Sequence, residues 1–345
     1  MKEVRVALVG YGGIAKAHKK GYDILAEQNA PVKLVAVCDI RPEMFTSVSA
    51  INIGSADNKA LGDIHTYTDV ETLLKEEEFD MADICLPTYL HKEYAIRMLR
   101  AGKHVLSEKP MALSSADGAE MIAVAKEEGK RLMIGQCLRF SPAYCYLKRC
   151  IDSGCFGKLK HLYMDRLSQP ATWGFENWFG DDKRSGGAIL DLHIHDIDMA
   201  RYLLGEPEKI SCVAIDGFTR WSVCNTRLFY PGVTVFANGS WGETKSFGFR
   251  ASYHASFENA NVIMDTKTGV MVYPADGKPY EPEITEIIEK RSNHMAEEIR
   301  YIASLILDES AENVKNPPES AMKTVKLVET LRESAAEMGK LIDFN

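Results

Sequence analysis

The first 135 residues alternate short apolar runs with amphipathic stretches. Val4–Val9, Lys33–Asp39, Met81–Leu86, His104–Leu106 and Leu132–Ile134 have strand character, and several are apolar on both faces, as strands covered on two sides must be. Between them Ile14–Gln28, Pro42–Ile51, Asp69–Glu77, His91–Ala101 and Ser115–Glu128 read as helices. Strands separated by helices of this length predict βαβ crossovers and a parallel, doubly wound sheet.

After Phe140 the rhythm changes. Leu159–Leu167, Ile210–Asp216, Val223–Tyr230, Val233–Trp241, Phe249–Phe257, Val262–Asp265 and Val270–Tyr273 follow one another as strand-like runs with little helix between them. Pro231-Gly232 is a tight-turn dipeptide and predicts a hairpin. A succession of hairpins makes one large, mostly antiparallel sheet. Ser292 reads as the N-cap of a helix that carries Met295, Ile299, Ile302 and Leu305 on one face. Asn316-Pro317-Pro318 breaks the chain before a last amphipathic helix over 320–338. The predicted fold is therefore α/β: a doubly wound parallel sheet over 1–135, then a second α/β domain over 136–345 with a large open sheet. Few helices are available to cover that sheet on both faces, which predicts self-association into a homodimer or homotetramer.

Composition narrows the setting. A chain of 345 residues exceeds one ordinary core, in keeping with two domains. With 46% hydrophobic and 26% charged residues and a net charge of −8, it lacks the basic character that nucleic-acid or anionic-membrane surfaces require. No apolar run reaches the about 18–20 residues that span a bilayer, and no signal-peptide pattern opens the sequence, so a cytoplasmic location is expected. The eight cysteines include no Cys-x-x-Cys pair. Cys145, Cys150 and Cys155 recur at a spacing that fits neither a zinc knuckle nor a disulfide framework, so all are expected to be inert thiols.

Candidate chemistry begins where the first strand ends, at Gly10-Tyr11-Gly12-Gly13-Ile14-Ala15. Gly10 allows the tight turn, Gly12 lets backbone approach a pyrophosphate, and small Ala15 permits close helix–strand packing. The pyrophosphate would face the free N–H groups of the following helix. Asp39, ending the second strand, is placed for a ribose 2′-hydroxyl and against a 2′-phosphate, which favours NAD; Arg41, two residues on, keeps NADP as the lesser alternative.

Two further stretches carry the chemistry. Ser107-Glu108-Lys109-Pro110 follows the strand at His104–Leu106, on the carboxyl edge where open α/β sheets bind ligands. Glu108 and Lys109 are thereby candidates at the cofactor, and Lys109 also at a substrate oxygen. The second stretch is Gly186-Gly187-Ala188-Ile189-Leu190-Asp191-Leu192-His193-Ile194-His195-Asp196-Ile197-Asp198. Read as a continuous helix it sets Asp191 and His195 at i and i+4 on one face, with His193 about 160° away. Read as a strand it would make a His-x-His metal site. The apolar pattern runs on to Leu204, beyond strand length, so the helix and an acid/base pair are favoured, no metal is expected, and His193 is expected to be structural.

These motifs, in this order and over nearly the whole chain, resemble the glucose–fructose oxidoreductase / inositol dehydrogenase / rhizopine-catabolism (Gfo/Idh/MocA) family. Glu108-Lys109-Pro110 together with Gly-Gly-Ala-x-x-Asp-x-x-x-His is the specific part; the glycine loop alone is not. The resemblance implies a dinucleotide-binding Rossmann domain over 1–135 and a substrate-binding domain over 136–345, in an NAD(P)-dependent oxidoreductase of sugars, cyclitols or polyols that often associates through the open face of its second sheet. By resemblance Lys109 and His195 are catalytic and Asp191 orients the substrate or the lysine. Pro87, Thr88 and His91 fall in the segment that lines the cofactor, and Arg139 stands where the family often places a residue near the site. Two departures stand out: Ala15 replaces the third glycine, and His193 stands where many members carry glycine or another small residue. The aromatic stretch Leu167–Gly186, with Trp173, Phe175, Trp178 and Phe179, reads either as a substrate-side loop, with Trp178 against a sugar face, or as ordinary packing.

The implied reaction is oxidation of a secondary alcohol. His195 removes the hydroxyl proton, with an ordinary pKa of about 6.5 close to working pH. Lys109 hydrogen-bonds the developing alkoxide, while the cofactor supplies the hydride chemistry. Three other readings are an NAD-dependent glycosidase without net redox, a non-catalytic cofactor-binding sensor, and a metal-dependent lyase or hydrolase built on His-x-His. Net NADH formation, mutational silence of Lys109 and chelator sensitivity separate them.

Overall fold

The computed structural model describes residues 3–47, 50–51, 54–55, 61–284 and 292–344. The chain divides into two compact units, Met1–Phe140 with Ile288–Met322, and Ser141–Ile287 with Lys323–Asn345.

In the first unit β1 (Val4–Val9) leads through the glycine loop to α1 (Gly13–Glu27) and β2 (Val32–Cys38). A two-residue hairpin follows, β3 (Ala50–Ile51) with β4 (Gly54–Ser55), and then the short strand β5 (His65–Tyr67) and α2 (Val70–Glu76). Next come β6 (Met81–Ile84), α3 (His91–Arg100), β7 (His104–Glu108), α4 (Ser115–Glu127) and β8 (Leu132–Gly135). The six-stranded sheet has the order β5-β2-β1-β6-β7-β8 and every pair is parallel. This is the doubly wound sheet that the alternation predicts. Its central strands are buried on both faces: Val6, Leu8, Met81, Ile84 and Leu106 have no exposed surface.

The sequence reading misplaces three features here. The helix expected over Pro42–Ile51 is a single 3₁₀ turn, Pro42–Phe45, and residues 48–49 lie outside the described residues. Thr46, Ser47 and Ile51 are weak helix formers. The edge strand β5 is not foreseen, since three half-polar residues give no periodicity. The helix that counts with the second domain on sequence, α9 (His294–Leu307), packs in the first unit. Its Ala296, Ile299, Ile302, Ala303 and Ile306 join the core of β1, β2 and α1. Gly21 of α1 allows the close approach, because a Cβ there would lie 3.2 Å from the backbone nitrogen of Ala296. The N-cap of α9 is Asn293, not Ser292: the Asn293 side chain accepts from the Ala296 N–H at 2.9 Å.

The second unit opens with α5 (Pro142–Ser153), which the strand-dominated reading overlooks. It then has β9 (Leu159–Ser168), the short helices α6 (Asp182–Ser185) and α7 (Gly187–Asp191), and α8 (Ile194–Leu204). The strands β10 (Lys209–Ile215), β11 (Val223–Tyr230), β12 (Val233–Ser240), β13 (Phe249–Phe257), β14 (Ala260–Asp265) and β15 (Gly269–Pro274) follow. After α10 (Pro318–Ala336) the chain ends in β16 (Ile342–Asp343). The eight-stranded sheet runs β15-β14-β13-β9-β12-β11-β10-β16. All pairs are antiparallel except β9–β12. Pro231-Gly232 makes the expected β11–β12 hairpin, with Tyr230 opposite Val233 and Gly232 at a φ of 73°.

One face of this sheet is buried, through residues such as Leu162, Met164, Val235, Ala237, Tyr253 and Val262. The alternating positions are open: Tyr163 is 41% exposed, Val213 48% and Ile215 62%. On that face Tyr163 stacks on Phe236 with ring centres 5.2 Å apart, and Arg227 lies over Phe236 and Phe229. Among the described residues no helix is long and apolar enough to cross a membrane.

Candidate active site

In a parallel sheet every strand ends at the same edge, so the loops after β1, β2, β6 and β7 gather the first unit's candidate residues. Gly10 has a φ of 87°, and a Cβ on it would sit 2.7 Å from the carbonyl oxygen of Cys85, so the turn admits only glycine. Gly12 differs: a Cβ there would meet no protein atom within 4 Å. Protein packing does not require a glycine at that place, whereas close approach of a pyrophosphate does. Gly12 is also the N-cap of α1; it offers no side-chain acceptor, and the first turn, which opens with Gly13 and Ile14, contains no acid. The first N–H groups thus keep their capacity for an anion.

Asp39 follows β2, mostly buried. Its Oδ2 accepts from the Tyr11 N–H at 2.7 Å and its Oδ1 from the Arg41 N–H at 2.9 Å, with the Arg41 Nε at 3.4 Å. One carboxylate therefore shapes the glycine loop and also holds Arg41, which is not free for a phosphate. After β6, Pro87 leads into a 3₁₀ turn, Thr88–Leu90, with Thr88 buried. His91 has almost no exposed surface, and its Nδ1 and Nε2 lie 2.7 and 2.8 Å from the carbonyl oxygens of Pro110 and Leu86. His91 thereby straps the loop after β6 to the Lys109-Pro110 turn.

Glu108 ends β7 and Lys109 follows, half-buried, joined to Pro110 by a cis peptide bond. The buried Glu108 carboxylate accepts from the Lys109 N–H through Oε2 at 3.1 Å and lies 2.9 Å from His18 Nε2 through Oε1. His18 Nδ1 lies 2.9 Å from Asp83 Oδ2, which also accepts from the Tyr22 hydroxyl at 2.8 Å. His18 and Asp83 have no exposed surface. Burial works against charge on His18, but Asp83 outweighs it and holds the imidazole pKa well above its ordinary value. Burial likewise pushes Glu108 up, yet His18 brings it below the usual carboxylate range. His18, Asp83 and Cys85 offer ligand-type atoms within 4.8 Å of one another. Both ring nitrogens of His18 face carboxylates, and burial pushes the Cys85 thiol up to about 12.

Arg139 lies in the turn Cys137–Phe140, 2% exposed, and donates to the Lys315 carbonyl at 3.1 Å and the Ser320 hydroxyl at 2.7 Å. These bonds anchor the segment before α10 and the first turn of that helix within the first unit.

In the second unit Gly186 and Gly187, both at positive φ, lead into α7, as the glycine-led pattern suggests. The run does not continue as one helix. α7 ends at Asp191, and α8 starts at Ile194. At the join the N–H groups of Leu192 and His193 both donate to the Ala188 carbonyl, at 3.0 and 2.9 Å, which widens the turn. The cause is His193. Its ring is fully buried against the sheet, with Nε2 2.8 Å from the Thr226 hydroxyl of β11. Gly239 of β12 makes room for it: a Cβ there would lie 2.8 Å from His193 Nδ1. Burial, then the charge of Arg166, push the His193 pKa down to about 3, so the ring stays neutral and structural. Asp191 is buried at the end of α7 and His195 half-buried in the first turn of α8. The i, i+4 argument thus holds only across a break.

The neighbouring acids have structural partners. Asp196 takes a bidentate bond from buried Arg166, both contacts at 2.9 Å, and Asp198 accepts from Thr324 at 2.9 Å. Trp178 is half-buried and stacks on Phe179 with centres 3.8 Å apart, and Phe179 meets Trp241 edge-on. Trp173 and Phe175 remain about two-fifths exposed, at 40% and 39%. Glu176 and Asn177, between Phe175 and Trp178, adopt left-handed backbone at φ 50°.

The sequence reading missed His18, Asp83 and Arg166. His18 falls on the buried stripe Ala15, His18, Tyr22, Leu25 of α1, and Asp83 is the lone acid in an otherwise apolar strand. A histidine on an apolar helix face and an acid in a central strand each call for a partner.

A glycine loop, an acid after the second strand and a lysine on one sheet edge define a dinucleotide-binding oxidoreductase fold with a second, sheet-based domain. Residues 4–136 match the family described as "Oxidoreductase family, NAD-binding Rossmann fold" and residues 144–272 the "GFO/IDH/MocA C-terminal domain". The chain belongs to the Gfo/Idh/MocA oxidoreductase family. Among its relatives, inositol 2-dehydrogenase of Rhizobium meliloti is 31% identical over 61% of this chain and 58% of its own. D-Glucoside 3-dehydrogenase of Escherichia coli is 27% identical over 88% of this chain and 86% of its own. The match thus spans under two thirds of the length of the inositol dehydrogenase. Levoglucosan dehydrogenase in complex with NADH and L-sorbose superposes with a TM-score of 0.83 at 18% identity, over 100% of both chains. The aldose-aldose oxidoreductase from Caulobacter crescentus, complexed with glycerol, gives 0.80 at 22% identity, over 99% of this chain and 100% of its own. At these identities the structural likeness speaks for the fold.

Proposed function

We propose that the protein is an NAD-dependent dehydrogenase or reductase acting on a secondary alcohol of a sugar, cyclitol or polyol. The observation that carries this reading is the shared carboxyl edge of the parallel sheet, where the glycine loop, Asp39 and Lys109 follow β1, β2 and β7. The names of the relatives, inositol and glucoside dehydrogenases, supply the substrate class. NAD, when bound, supplies the hydride acceptor. The N-terminus of α1 would hold its pyrophosphate and Asp39 its ribose hydroxyls; Arg41, tied to Asp39, leaves a 2′-phosphate poorly served. His195 takes the proton of the reacting hydroxyl, Lys109 donates a hydrogen bond to the same oxygen, and Asp191 orients the substrate. Each contributes by placing charge where it develops.

The same reading includes assembly into a homodimer or homotetramer through the open face around Tyr163, Phe236, Val213 and Ile215. It also includes a cytoplasmic setting, supported by eight free cysteines. The test is a panel of cyclitols, sugars and polyols with NAD and with NADP, followed at the reduced-nicotinamide absorbance. Net NADH formation with at least one secondary alcohol is expected. Turnover of a glycoside without net NADH would replace the dehydrogenase by a redox-assisted glycosidase, and silence across the panel with tight NAD binding would favour a sensor.

A further inference from the structure

The first unit contains a charged chain that cofactor binding does not explain. His18 of α1 bridges Asp83 of β6 and Glu108 of β7, with 2.9 Å at each ring nitrogen. An ionised carboxylate only accepts, so both nitrogens must donate, and the ring is an imidazolium. Burying two carboxylates and one imidazolium is tolerable only while each keeps its partners. On the next element Glu298 of α9 is fully buried, and burial together with the charge of Glu108 holds its carboxyl pKa well above the ordinary value. His294, also on α9, has its pKa lowered by burial and by the His18 charge. Tyr22 adds its hydroxyl to Asp83, and the Cys85 thiol lies 3.8 Å from the same carboxylate.

The far end of the chain of bonds is Lys109. With Oε1 of Glu108 held by His18, Oε2 is aimed at the Lys109 N–H, 3.1 Å away. Gly135 of β8 lets the carboxylate sit there, since a Cβ would lie 3.3 Å from Oε1. We propose that His18 is a positioning residue that acts through Glu108 to fix the backbone of Lys109, an inference that rests on the catalytic role proposed for that lysine. α1, whose N-terminus would carry the cofactor's pyrophosphate, is by this link tied to the residue that meets the substrate oxygen. Removing the imidazolium leaves a buried carboxylate without its counter-charge; Glu108 then takes up a proton or turns away, and either change releases the Lys109 amide.

The test compares His18→Gln, Glu108→Gln and Tyr22→Phe. A glutamine at 18 carries no charge and leaves the two carboxylates without their counter-charge, and one at 108 cannot serve the His18 and Lys109 donors together. Misplacing a reacting group by about 1 Å can cost on the order of 100-fold, so both variants should lose about 10- to 100-fold in kcat on myo-inositol with NAD. KM and NAD affinity should stay within a few-fold. Both should also speed hydrogen exchange at the Lys109 amide, a readout that requires no substrate. Tyr22→Phe removes one buried hydrogen bond of the same cluster without touching Glu108; it should lower Tm and leave kcat and Lys109 exchange unchanged. Unaltered Lys109 exchange in a folded His18→Gln or Glu108→Gln protein overturns the proposal, and so does a kcat loss in Tyr22→Phe equal to theirs. Failure of the underlying reading looks different: Lys109→Met would then turn over like wild type, while Lys109 exchange would still respond to His18.

Discussion

Replacing Asp39 by serine tests the cofactor reading without knowledge of the substrate. The carboxylate has two tasks in the structure. Internally it accepts the Tyr11 N–H at 2.7 Å and the Arg41 N–H at 2.9 Å, and toward the cofactor it is the acceptor for the ribose hydroxyls. Hydrogen bonds to a charged group contribute about 1.5–3 kcal/mol, so losing the ribose contact should weaken NAD binding by about 10- to 100-fold. Serine also removes the negative charge that opposes a 2′-phosphate and releases the Arg41 guanidinium, 3.4 Å from Asp39 in the wild type. The NADP/NAD ratio of dissociation constants should therefore fall by about 10² or more, taking both effects together. Stability should suffer modestly. The buried Tyr11 amide loses its carboxylate, a cost of about 1–3 kcal/mol if nothing replaces it, and a serine hydroxyl recovers part. For a chain of 345 residues that is a Tm loss of about 1–2 °C per kcal/mol. Fluorescence titration with NADH and NADPH reads the ratio directly, and calorimetry reads the Tm. The reasoning is refuted if wild type binds NADPH more tightly than NADH, or if the ratio is unmoved in Asp39→Ser.

Lys109→Met and His195→Asn should each lower kcat by about 10²–10⁴, with NAD affinity within a few-fold; the double variant should fall short of the product of the two losses. His193→Asn should cost far less in rate, and a larger loss there than at His195 would relocate the site. Its effect belongs to stability against pH: the His193 pKa is about 3 in the native state against 6.5 unfolded, so between those values the unfolded chain binds the extra proton and stability falls as pH drops. From pH 7 to 5 this amounts to about 2 kcal/mol at most, and the Tm of His193→Asn should decline less than that of wild type over the same interval. Light scattering should report a dimer or tetramer at micromolar concentration; a stable monomer would count against association through the open sheet face. Metal analysis of the purified protein should find no stoichiometric ion, and prolonged chelation should leave turnover unchanged, whereas a bound zinc required for activity would turn the His18–Asp83–Cys85 cluster from ion pair to ligand set.

Periodicity made the parallel sheet legible, because strands buried on both faces have no other pattern, and the hairpin signal at Pro231-Gly232 located β11 and β12. What it lost were elements defined by their ends. α5 has Pro142 at its first turn and Gly154 at a φ of 64° just past its end, a start and a stop that were readable but outvoted by the strands around them. The assignment of α9 to the first unit was not readable, since an amphipathic face says that a helix packs without saying against what. The glycine loop, Asp39 and Lys109 could be found because each is bound to one position in a known topology. For His91 and Arg139 residue type suggested a binding site, but it could not announce the carbonyls of Leu86, Pro110 and Lys315 that engage their polar atoms. The break between α7 and α8 was invisible to a helical wheel, which assumes the regularity that His193 interrupts.

The pairing of His193 with Gly239 bears on how this chain can diverge. The imidazole occupies a volume that the opposing strand has vacated, so the two positions share one allotment of space. A side chain added at 239 alone collides with the ring, and a small residue at 193 alone leaves a void and takes the imidazole partner from the Thr226 hydroxyl. Each single step is unfavourable in the other's background, while the exchange of both conserves volume. In chains that carry glycine at the position of His193, the position of Gly239 should bear a larger residue, and the helix there should run unbroken from Asp191 to His195.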